Sequence, residues 1–74
     1  MPKLPIISGV ELIKYLKRKG FVPIRQKGSH VVLQSSGGKM ITVPLHNELD
    51  RGTLLAILKV AGISRDEFLN EFGG

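Results

Sequence analysis

The chain has 74 residues, 42% of them hydrophobic, and a net charge of +5 from 11 Lys+Arg against 6 Asp+Glu. This length holds one small domain with a thin core, and the apolar content is too high for a disordered chain. The lack of cysteine excludes disulfides and thiolate metal sites, and no apolar run approaches the length of a membrane span.

The first ten residues, "MPKLPIISGV", carry one lysine and a short apolar patch broken by Pro2 and Pro5. That pattern is too weak for a secretory signal, so a cytoplasmic protein without a membrane association is expected. Ser8 and Glu11 have the spacing of a capping box, which predicts a helix over residues 9–19. Leu12, Ile13 and Leu16 form its apolar stripe. Lys14, Lys17, Arg18 and Lys19 crowd its C-terminal end, where the helix dipole favours cations, and Gly20 is a natural stop.

"FVPIRQK" is rich in strand formers, and Pro23 assigns it to a sheet edge because proline donates nothing to a ladder. Gly28 makes a turn, "HVVLQ" a second strand, "SSGG" a second turn and "KMITVP" a third strand. Connections this short predict an antiparallel meander. After the irregular "LHNELD", either Asp50 or Thr53 caps a helix with Leu54, Ile57, Leu58 and Ala61 on one face, ended by Gly62. Ser64 and Glu67 open a short last helix carrying Phe68, Leu69 and Phe72. Phe21, Phe68 and Phe72 are assigned to the core, leaving Tyr15 as the remaining aromatic residue. The prediction is an α+β fold of order α-β-β-β-α plus a terminal helix, one domain over residues 1–74. A three-stranded antiparallel sheet carries the helices on one face and leaves the other open.

On that sheet Val31 and Leu33 share one face and His30 the other. If the first pair meets the helices, His30 faces outward, where Arg25, Lys27 and, from the third strand, Lys39 can ring it. Such a ring suits RNA cleavage. Attack of a ribose 2′-OH on phosphorus builds charge that Arg and Lys stabilise, while an imidazole takes or gives the proton. Nearby cations favour the neutral, basic form of an imidazole. His46 offers a second acid–base group, a phosphate contact or a local hydrogen bond. Its spacing to Glu48, Asp50 and His30 matches no zinc signature, so neither a metal nor any other cofactor is expected. "DRGTL" presents a helix N-terminus that can meet a phosphate or simply be capped. With 5% aromatic residues, a base-stacking platform has little support. On the residues alone His30 can equally be an ordinary surface histidine beside a common Lys-Gly-Ser turn, and three functions stay open: a catalytic histidine, a non-catalytic RNA-binding module using the basic surface, and a basic face for an acidic protein.

From Gly9 to Phe68 the sequence resembles the HicA, or YcfA-like, toxins. The likeness lies in "LIKYLKRKGF" leading to "RQKGSH", then "VP" with His46, then "GTLLAILKVAGI" and "EF". It departs at Arg51, where many members carry proline, and at the "SSGG" turn. The resemblance implies a fold like the double-stranded-RNA-binding domain. It also implies a metal-independent endoribonuclease (an mRNA interferase) and a HicB-like antitoxin partner. The catalytic histidine it implies is the one in Gly-Ser-His, which is His30, with Gly28 shaping the turn. Arg25, Lys27, Ser29, Lys39 and His46 are the expected RNA contacts.

Overall fold

The computed structural model describes residues 4–72, so Pro2 and Lys3 lie outside the described residues. The elements run α1 (Gly9–Arg18), β1 (Phe21–Lys27), β2 (His30–Ser35), β3 (Met40–Pro44), α2 (Arg51–Ala61) and α3 (Arg65–Phe72). This is the predicted α+β order, with the last helix eight residues long.

Each helix starts where a side chain satisfies its free N–H groups. Ser8 Oγ accepts from the Glu11 amide at 3.1 Å, and Glu11 Oε1 accepts from the Ser8 amide at 3.0 Å, so the capping box is closed. Of the two candidates for α2, Asp50 is the cap: its Oδ1 accepts from the Thr53 amide at 3.1 Å. The bonds to Thr53 hold the Asp50 carboxyl below its usual range. Ser64 Oγ accepts from the Glu67 amide at 3.0 Å and opens α3. Gly62, at φ 76°, ends α2 in the left-handed conformation that glycine adopts without strain.

The sheet order is β1-β2-β3, antiparallel throughout, with β1 at an edge as Pro23 requires. Val31 and Leu33 of β2 and Ile41 and Val43 of β3 point into the core. They meet Leu12, Ile13 and Leu16 of α1 and Leu54, Ile57 and Leu58 of α2. α1 packs on β1 and β3, and α2 on β3, so the helices cover one face. Tyr15 differs from expectation. It is 1% exposed and packs edge-on against Phe68, ring centroids 5.1 Å apart, whereas Phe72 is only half-buried. Tyr15 follows the same helical face as Leu12 and Leu16, and the arrival of α3 seals it.

One irregularity decides which side chains reach the open face. Phe21 is buried on the helix side, and strict alternation would place Arg25 and Lys27 on that same side. A bulge between Pro23 and Arg25 inserts Ile24 and shifts the register. Pro23 opposes Leu33, but Arg25 opposes Val32 and Lys27 opposes His30. The extra residue carries both cations to the solvent face.

The chain before α1 straps the loop after β3. The Leu49 amide donates to the Ile7 carbonyl at 2.8 Å, and the Gly9 amide to the His46 carbonyl at 2.9 Å. Ile7 is buried, so this segment is part of the core.

Candidate active site

The β1–β2 hairpin has a two-residue loop, Gly28-Ser29, between the paired residues Lys27 and His30. Gly28 has φ 59°, and no residue other than glycine has positive φ among the described residues. Positive φ at the first loop position only is the pattern of a type II′ turn, whose twist matches that of the flanking strands. Gln26 Nε2 donates to the Gly28 carbonyl at 3.2 Å and braces the loop. The Leu45 amide donates to the Ser29 carbonyl at 2.6 Å, tying the turn to the exit of β3.

Three cross-strand rows make up the open face. The first holds Lys27, His30 and the buried Pro44; the second Arg25, Val32 and Thr42; the third Val22, Gln34 and Met40. Directly opposed residues on neighbouring strands have Cβ atoms about 5 Å apart. His30 thus stands beside Lys27, with Arg25 one row along. All three are exposed, and the imidazole makes no hydrogen bond among the described residues. From Leu12 to Asn47 the chain contains no Asp or Glu, so no carboxylate from the sheet neutralises these cations.

Of the other predicted site residues, Ser29 is exposed at the turn beside His30. His46 is also exposed, and two backbone bonds fix its loop: its own carbonyl bonds Gly9, and its neighbour Leu45 bonds Ser29. Lys39 does not join the ring around His30. It precedes Met40, which pairs with Gln34 at the far end of β2. It also shares the parity of the buried Ile41, and its Nζ lies 3.2 Å from where a Cβ on Gly62 would stand. It therefore lies beside the C-terminal end of α2, where the helix dipole favours a cation.

The basic end of α1 is divided. Lys14, Lys17 and Arg18 are exposed, while Lys19 Nζ bonds the carboxylates of Glu67 and, at 2.9 Å, Glu71 of α3. Arg18 lies over the Tyr15 ring at 5.7 Å. The sequence reading did not single out Val22, Val32, Gln34, Met40 and Thr42. Only the register exposes them as one surface.

A family model described as the HicA toxin of bacterial toxin-antitoxin systems matches residues 9–63, which runs from α1 past α2. A solved chain from a toxin–antitoxin complex of Streptococcus pneumoniae superposes with a TM-score of 0.69 at 36% identity. The match covers 77% of this chain and 98% of that one. No match was found among curated proteins. The match to the family model spans the Gly28-Ser29-His30 turn, the His46 loop and both core helices, and on it the chain belongs to the HicA toxin family.

Proposed function

We propose that the chain is a metal-independent endoribonuclease acting on mRNA, with His30 as its acid–base group. The observation that carries this reading is the site itself. An exposed imidazole without a hydrogen-bond partner among the described residues stands beside Lys27 and Arg25, on a sheet that carries no carboxylate. In this scheme the ribose 2′-oxygen attacks phosphorus as its proton leaves. The bond from phosphorus to the 5′-oxygen breaks, and that oxygen gains a proton. His30 moves one of these protons and solvent water the other, while Lys27 and Arg25 stabilise the charge on the phosphoryl oxygens. Gly28 and Ser29 hold the turn that aims His30, and His46 contacts the RNA from the loop tied to that turn.

A HicB-like antitoxin is the protein partner in this reading. Support comes from the Streptococcus pneumoniae neighbour, which is part of a toxin–antitoxin complex. An acidic partner surface would meet the same uncompensated cations that hold RNA.

Expression of the parent and His30→Ala from a tightly repressed promoter, scored for growth and mRNA integrity, tests the assignment. The parent is expected to arrest growth with loss of mRNA. His30→Ala is expected to lose cleavage by a factor on the order of 10²–10⁴ in rate. Equal cleavage by the purified variant would remove His30 from the mechanism. RNA binding without cleavage by either protein would make the chain a binding module.

A further inference from the structure

The third row of the open face is apolar at its ends and polar at its centre. Val22 is 60% and Met40 50% exposed, and between them the half-buried Gln34 makes no side-chain hydrogen bond among the described residues. Val32 and Thr42 of the second row join this floor to the cationic row of His30. We infer that this surface is a subsite for an unpaired nucleobase of the RNA substrate, with Gln34 reading the base edge. The inference rests on the ribonuclease reading above and names the form of RNA that reading leaves open.

The chemistry points to a base more than to a duplex. A duplex shows a protein mainly its phosphates and 2′-hydroxyls, which valine and methionine do not recognise. An unpaired base has an apolar face that lies on an aliphatic floor and a polar edge that needs a donor and an acceptor. The carboxamide of Gln34 supplies both. Its neighbours on either strand are apolar, so they do not compete for that group. Gln34 lies four residues along β2 from His30, about 13 Å at the usual strand rise. The scissile phosphate and the base being read are then a short step of extended chain apart. The floor has no aromatic residue, so discrimination comes from the amide and not from stacking strength.

The test uses the purified chain, Gln34→Ala and Met40→Ala, two partly exposed positions whose folding is checked by thermal melts. Each protein is given a pool of randomised RNA presented single-stranded or locked in a stem, and cleavage positions are mapped. The parent is expected to cut unpaired RNA with a base preference at a fixed offset. Gln34→Ala should weaken that preference on the order of tenfold while total cleavage persists, because His30, Lys27 and Arg25 are intact. A preference unchanged in both variants, or equal cutting in stems, overturns the subsite. So does loss of antitoxin binding in these variants with the base preference intact, which makes the face a protein-docking surface. If the parent cuts nothing, the catalytic reading fails separately. Titration of labelled single-stranded homo-oligonucleotides then reads the subsite directly: a base preference in the parent that Gln34→Ala removes supports it, and no preference overturns it.

Discussion

Two glycines near the site are there for different physical reasons, and substitutions separate them. A β-carbon on Gly9 would stand 2.1 Å from the Pro44 carbonyl oxygen, a backbone atom that cannot swing away. Gly9 therefore sets how closely α1 approaches the strand end opposite His30. Gly9→Ala is expected to destabilise the fold by about 1–3 kcal/mol, the usual range for overpacking, as read by urea denaturation. At Gly28 a β-carbon meets nothing within 4 Å, so only the backbone objects, at φ 59°. A side chain at this positive φ costs about 1–3 kcal/mol, and among residues with a β-carbon asparagine is one of those that type I′ and II′ turns accept best. Gly28→Asn should therefore melt closer to the parent than Gly28→Val does. Equal melting of the two variants would mean that positive φ is not what the turn requires.

At the scale of elements, the helices were legible because their signals are local. Ser8 and Glu11 cap one helix and Ser64 the last, both readable from spacing alone, whereas spacing left Asp50 and Thr53 as alternatives for the second and the fold chose Asp50. The site was legible only in part. That His30 faces away from Val31 and Leu33 follows from alternation within one strand. That Arg25 and Lys27 join it depends on the bulge at Ile24, which no two-residue period contains; Pro23 was its only hint. Lys39 was misplaced because it lies just before β3, on the side of the buried Ile41. Tyr15 was missed because its burial depends on α3, which arrives 50 residues later in the chain. The contact between α1 and α3 also sets a dependence on pH. Burial, aided by the bond to Glu71 at 2.8 Å, pushes the Tyr15 phenol up to about 12. Folded protein then holds a proton that the unfolded chain loses near 10.0, so stability is complete below that pH and falls as pH rises through about 12. Lys19 first, then Tyr15, holds the Glu71 carboxyl below its ordinary 4.5. That contribution is present above 4.5 and is lost as pH falls through the lower, folded value. Melting temperatures of the parent and Glu71→Gln across the pH range check both limbs. The variant should be the less stable at neutrality, with the difference shrinking toward acid. Parallel curves would show that the Glu71 contacts do not contribute.

Over the whole molecule, charge is segregated by role. Glu11 and Asp50 are held in helix caps, and Glu67 and Glu71 are bound to Lys19. Four of the six acidic side chains are thus occupied within the fold, and the stretch from Leu12 to Asn47 has none. Cations are not equivalent in this arrangement. Arg25 and Lys27 face solvent beside His30, whereas Lys19 already has two carboxylates and Lys39 reaches toward Gly62. Binding of single-stranded RNA weakens with salt in proportion to the phosphates neutralised, with a log–log slope of about −0.7 for each. Arg25→Ala or Lys27→Ala should each reduce the slope by about that amount, measured with His30→Ala protein so that the RNA stays intact. Lys19→Ala and Lys39→Ala should leave it unchanged, although all four substitutions remove the same formal charge. If the four slopes fall equally, the RNA responds to net charge alone and the open face of the sheet has no special part in holding it. If only the Arg25 and Lys27 variants change, the RNA backbone lies where the bulge has put those two cations.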